Sequence, residues 1–252
     1  METKRQYGLA LGGGAVLGAA HIGVLRAIEE NEIELTHITG TSVGALIGTL
    51  FAFGKSSQEI ADIMIGINWR DIADFSMSKL GLFSNDKIGK LIHEHFGDIT
   101  LEEANIPLGV VVTDLALGEK VLLEKGSAKE AVMASTCIPS IFKPIEKEEM
   151  LLVDGGLVEN VPLESLRKIG AENAIVVDLN ASSQYHKPEN FVEVLINSAN
   201  YFIECRNKIE IYEKDIHITP DLSAFNAIQT SQIEAIIEVG YEEAKKILNK
   251  KV

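Results

Sequence analysis

Gly40-Thr41-Ser42-Val43-Gly44 reads G-x-S-x-G and stands where the chain must turn sharply from a strand into a helix. Before it lies Leu35-Thr36-His37-Ile38-Thr39, short and partly β-branched. After it lies Ala45-Leu46-Ile47-Gly48-Thr49-Leu50-Phe51-Ala52-Phe53, an apolar run of buried-helix length. A serine thrust out at the top of a strand needs neighbours without a Cβ, which Gly40 and Gly44 supply. The helix that begins there aims free N–H groups and its positive dipole end at any anion the serine generates. Ser42 is therefore a candidate nucleophile. The plain alternative is a turn whose serine merely caps the helix, so the surroundings must decide.

Two further glycine-bearing strand ends point the same way. Tyr7-Gly8-Leu9-Ala10-Leu11 runs into Gly12-Gly13-Gly14-Ala15-Val16-Leu17-Gly18, and a helical pattern follows through Ile28. Bare backbone after a strand offers N–H groups to an anion at close range. A dinucleotide site opens in the same way, but its G-x-G-x-x-G fingerprint is one residue too short for Gly12-x-Gly14-x-x-x-Gly18. No clean second strand ends in Asp or Glu at the right distance for its ribose contact, although Glu32 and Glu34 come near it. The other strand end is Met150-Leu151-Leu152-Val153-Asp154-Gly155-Gly156. Asp-Gly is a common turn pair, yet a carboxylate at a strand's end, with glycines permitting close approach, can reach another side chain.

These three motifs, in this order, resemble the patatin-like phospholipases, in particular small single-domain bacterial members. The resemblance extends into Ala19-Ala20-His21-Ile22-Gly23-Val24-Leu25, Val111-Val112-Thr113-Asp114, Ala134-Ser135-Thr136-Cys137-Ile138-Pro139 and Gly156-Leu157-Val158-Glu159-Asn160-Val161-Pro162. It covers roughly residues 5–180, with a less distinctive continuation, and implies one domain over residues 1–252. It implies a three-layer α/β fold and a serine–aspartate dyad without histidine. Ser42 would attack a lipid ester carbonyl and Asp154 would take its proton, with burial raising an ordinary Asp pKa of ~3.9. The resemblance assigns the oxyanion hole to Gly13, Gly14 and Ala15, with help from the N–H of Val43. It implies a lipid or ester substrate, transient contact with a lipid surface, and neither metal nor cofactor. Two positions depart from the family: Ala15 replaces a glycine, and Leu17 replaces an Arg or Lys. The missing cation favours neutral esters over anionic phospholipids. It also motivates a second reading, a regulatory or lipid-binding protein that keeps the fold with little catalysis.

Other sites fit less well. An α/β-hydrolase triad would use His217 with Asp178 or Asp154, but such folds place several strands before the serine elbow. His93-Glu94-His95 with Asp98 suggests a metal cluster, except that i, i+2 spacing puts the imidazoles on different helix faces. In Phe53-Gly54-Lys55-Ser56 a P-loop would need glycine at Thr49, so a helix stop followed by a helix cap is expected.

With 252 residues, 46% of them hydrophobic, the chain can bury a substantial core. Its net charge of −14 argues against nucleic acid and against strong attraction to an anionic membrane. Two cysteines suit a reducing cytosol. Lys4 and Arg5 ahead of an apolar run mimic a signal peptide, but that run reads as the first core strand. The hydrophobic pattern predicts helices at 58–67, 86–96, 128–135, 191–207 and 231–248. It predicts strands at 108–113, 120–123 and 173–178, giving a largely parallel sheet with helices on both faces. Residues 63–83, including Trp69, read as core or as a lid over an acyl chain. Oligomeric state is left open.

Overall fold

β-Branched and other apolar residues dominate five segments that lie side by side in parallel: β1 (Gln6–Leu11), β2 (Glu34–Thr41), β5 (Leu108–Asp114), β9 (Ala174–Val177) and β10 (Ile216–Ile218). The computed structural model describes residues 6–67, 74–75, 83–181, 187–188, 194–195, 197–198, 201, 209–227 and 229–251. In it an eight-stranded sheet has the order β10-β9-β1-β2-β5-β8-β7, with β6 (Glu119–Leu123) also on β5. β6, β7 (Ile145–Lys147) and β8 (Met150–Asp154) supply the antiparallel pairings. A separate short pair joins β3 (Asp74–Phe75) to β4 (Phe83–Ser84).

Alternation along β1 divides the interior into two cores. Leu9 and Leu11 face the larger one, and Ala10 faces the smaller. The larger is covered by α1 (Ala19–Glu30), α2 (Val43–Ala52), α3 (Ser57–Gly66), α4 (Asp86–Phe96), α5 (Ala128–Ser135) and α7 (Ile233–Lys251). Among the described helices, α6 (Leu163–Lys168) covers the smaller, through Leu163 and Leu166. This is the three-layer arrangement expected of parallel strands buried on both faces.

Local chemistry sets most helix ends. Gly54, at φ 94°, follows α2, and Ser56 with Glu59 forms a capping box on α3. Gly54-Lys55-Ser56 is thus a stop and a cap. The Ser127 hydroxyl accepts from the Glu130 N–H at the start of α5. α4 and α5 fall on the expected bounds, 86–96 and 128–135. β2 runs beyond its expected end because Gly40 and Thr41 still pair with Val110 and Val111. β7 and β10, three residues each, show no readable period in sequence. The helix expected at 191–207 lies largely outside the described residues.

The C-terminal helix is part of this core. α7 packs along α1 with buried residues at Ile233, Ile236, Ile237, Gly240, Tyr241, Ala244 and Leu248. The helices touch through glycine: a Cβ on Gly240 would strike the Ala20 carbonyl, and one on Gly23 would strike the Ile237 carbonyl. No helix among the described residues is long and apolar enough to cross a membrane.

Candidate active site

Two strands run toward each other along one edge of β5. β6 holds one edge of β5 over Val110–Asp114, so β2 and β8 must share the other. β2 ends with Thr41 opposite Val111, and β8, running the other way, ends with Asp154 opposite Val112. Residues more than a hundred positions apart therefore meet at the break between the two ladders. Ser42 follows at φ 54°, ψ −124°, and α2 starts at Val43. A left-handed φ at a residue with a Cβ is strained, and it marks the strand-to-helix elbow. Gly44 makes the elbow fit, because a Cβ there would collide with the Leu11 carbonyl of β1.

The Ser42 side chain stands beside the Asp154 carboxylate and favours its charged form, and the Gly156 N–H donates to Asp154 Oδ1 at 2.8 Å. Asp154 is 6% exposed. Burial pushes its carboxyl up from 3.8 to about 6, against the opposing pull of Ser42 and the Gly156 N–H. Its backbone is fixed as well: its N–H donates to the Cys137 carbonyl at 2.9 Å, and its carbonyl accepts from the Thr113 hydroxyl at 2.8 Å. The adjacent Cys137 thiol is pushed up to about 12 by burial and by the Asp154 charge, and donates to the Lys143 carbonyl. It is no competing nucleophile.

The glycine loop lies beside Ser42 because β1 and β2 are parallel neighbours; a Cβ on Gly13 would sit 3.3 Å from Ser42 Cβ. Its carbonyls are tied back. His21 Nε2 meets the Gly12 carbonyl at 2.7 Å, and Asn180 Nδ2 donates to the Gly13 carbonyl at 3.3 Å. Burial lowers the His21 pKa to about 4, with the Gly12 bond opposing, so the ring is neutral and Nε2–H is the donor. The N–H of Gly12 donates to Val177 and that of Gly13 to the Asn160 carbonyl, at 3.1 Å. Among the hydrogen bonds of the described residues, none uses the N–H of Gly14, Ala15 or Val43. In a planar trans peptide the Gly14 N–H points opposite to the Gly13 carbonyl, hence away from Asn180. Gly13 differs from the other three expected donors in having its N–H engaged.

The structure gathers Ser42, Asp154, Gly13, Gly14, Ala15 and Val43, and places the other candidates elsewhere. Leu17 is 7% exposed and belongs to the larger apolar core, so the position of the family's cation here points inward. His217 lies on β10, three strands from β2 or roughly 14 Å at ordinary strand spacing. His93 pairs with Asp98 at 2.9 Å on an exposed helix end, and the described residues contain no group of three metal-binding side chains. Of the stretch 63–83, Met64 is buried core and Ile63 and Ile67 pack against it; residues 68–73 and 76–82, Trp69 among them, lie outside the described residues. Sequence reasoning assigned no role to His21, Ser135 or Asn180. His21 and Ser135 stood within the family-like stretches, but nothing in their spacing signalled a contact with the elbow.

A family model for patatin-like phospholipases matches residues 9–167. An uncharacterized NTE family protein of Mycobacterium tuberculosis is 34% identical over 184 residues, 72% of this chain and 51% of that one. Human patatin-like phospholipase domain-containing protein 6 is 26% identical over 97% of this chain, which covers 20% of it. The chain thus spans about half the length of the mycobacterial relative and a fifth of the human one. Among solved structures, VipD from Legionella pneumophila superposes with a TM-score of 0.64 at 15% identity, covering 98% of this chain and 67% of that one. The fold is shared with that protein, and the chain belongs to the patatin-like phospholipase family.

Proposed function

We propose that this chain is a serine acyl hydrolase that cleaves carboxylic esters of lipids, of the phospholipase A, lysophospholipase or esterase type, with Ser42 as nucleophile and Asp154 as base. One observation carries the reading: a serine at a strained elbow stands beside a buried carboxylate whose affinity for a proton is raised. A carboxyl titrating near 6 is a far better proton acceptor than an ordinary aspartate, and at neutral pH it is still mostly ionised.

Ser42 Oγ bonds to the ester carbonyl carbon as its proton passes to Asp154. The carbonyl electron pair moves onto oxygen, where the unengaged N–H groups of Gly14, Ala15 and Val43 stabilise it. Losing one such donor costs about 10²–10³ in turnover in other serine hydrolases. Gly13, its own N–H spent on Asn160, shapes the loop. Collapse expels the alcohol, which takes the proton from Asp154. Water then releases the acid from Ser42 by the same steps, with no cofactor. The net charge of −14 and the inward-facing Leu17 favour neutral over anionic esters, approached at a lipid surface by transient contact. The buried Cys137 free thiol suits a reducing cytosol.

A fluorophosphonate probe followed by peptide mass spectrometry tests the reading. Ser42 should carry the label, and a folded Ser42→Ala protein should neither label nor turn over p-nitrophenyl esters. Label on another serine, or normal turnover by that variant, rejects the assignment. A wild-type chain that binds lipid vesicles but neither labels nor turns over supports the regulatory alternative.

A further inference from the structure

The sheet has a gap at the site, and a side chain fills it. After the Thr41–Val111 pair β2 leaves the edge of β5, and β8 reaches that edge only at Val112. Ser135, the last residue of α5 and fully buried, occupies the break. Its hydroxyl accepts from the Ser42 N–H at 2.8 Å and donates to the Val111 carbonyl at 2.7 Å. It stands in the place of the ladder's next rung.

The rest of the Ser42 backbone is held differently. Its carbonyl accepts from the N–H groups of Ala45 and Leu46 and so is fixed by α2. Its N–H has Ser135 Oγ as partner, and rotation about the bond from that nitrogen to Cα is φ itself. A residue with a Cβ holds φ near 54° only when its surroundings impose it. Two positions beyond Ser135, the Cys137 carbonyl accepts the N–H of Asp154. The end of α5 therefore grips the backbones of both members of the pair.

We infer that Ser135 is a positioning residue for Ser42, its hydroxyl fixing the Ser42 amide and hence the direction in which the nucleophile faces Asp154. This rests on the serine–aspartate reading above. Ser135→Ala leaves the Ser42 N–H and Val111 carbonyl without that bridge. Ser135 is fully buried and so does not face a bound substrate, and the loss is expected on turnover and not on binding.

The test measures kcat and KM on p-nitrophenyl butyrate, with thermal unfolding, for the full chain and for Ser135→Ala, Ser135→Cys and Ser135→Thr, alongside Ser42→Ala and Asp154→Asn. The Ala and Cys variants should lose about 10–100-fold in kcat, the scale of a small misplacement of a reacting group, with KM within about twofold. Threonine, which keeps the hydroxyl, should restore most of the turnover. If Ser135→Ala does not fold, Ser135→Cys, close to serine in volume and a poor acceptor, carries the comparison. A folded Ala or Cys variant with wild-type kcat, a change confined to KM, or a threonine variant as slow as alanine overturns the inference. Should Ser42→Ala be dead while Ser135→Ala is unimpaired, this inference alone falls. An active Ser42→Ala protein removes the reading on which it rests.

Discussion

Replacing Asp154 by Asn should remove activity and at the same time stabilise the protein. The folded-state pKa of Asp154 is about 6, against 3.8 for the free side chain. Between those values the folded chain holds a proton that the unfolded chain has released, so stability falls as pH rises through the window. Below 3.8 both states are protonated and the effect vanishes; above 6 it is complete. Two pKa units correspond to about 3 kcal/mol, at 1.36 kcal/mol per unit. Asparagine cannot ionise, yet its side-chain oxygen can still accept from the Gly156 N–H, so the variant escapes this cost. At pH 7 it should be about 3 kcal/mol more stable than wild type, roughly 6–12 °C in Tm for a chain of this size. At pH 4 the two should nearly coincide. Urea unfolding of both proteins from pH 4 to 8 reads the difference directly. The other carboxylates titrate alike in both chains and cancel. An Asp154→Asn protein no more stable than wild type at pH 7, or a difference that does not change with pH, would refute the claim that desolvation dominates at this carboxyl. On the proposed mechanism the same group controls the wild-type rate, so kcat/KM should fall with unit slope below pH 6, to about a tenth of its plateau at pH 5.

His217→Ala should leave turnover near wild type, whereas loss of a true triad base costs about 10⁴-fold; a dead, folded His217→Ala protein would contradict the placement of β10 on the far side of the sheet. Leu17→Arg should lower stability by about 2–4 kcal/mol, because the guanidinium enters an apolar core. An unchanged Tm with a shift in preference toward anionic phospholipid would mean that residue 17 reaches the site after all. Gly240→Val should cost about 3 kcal/mol by driving a side chain into the Ala20 carbonyl. A thermal melt like that of wild type would show that α7 does not pack on α1 at that contact.

What the sequence by itself determined is local. The strand-to-helix turn at Ser42 could be read because an exposed serine at such an elbow demands small neighbours, and Gly40 and Gly44 stand there. The ends of α4 and α5 and the Ser56 cap could be read because capping uses side chains within three or four residues of the backbone they satisfy. The pairing of Ser42 with Asp154 came from resemblance and not from spacing. Physically it depends on β2 and β8 stopping at adjacent residues of one β5 edge, a long-range register that no local pattern encodes. Tertiary structure also decided what each backbone group is free to do. Gly13 and Gly14 look alike in sequence, but the N–H of Gly13 is taken by a carbonyl from the Asn160 loop. Leu17 was read as a missing charge at the site and proved to be a core residue, since its direction follows from the turn of Ala15–Gly18 over the larger apolar core. The basicity of Asp154 belongs to the fold for the same reason: its cause is the removal of water, and only the packed chain does that.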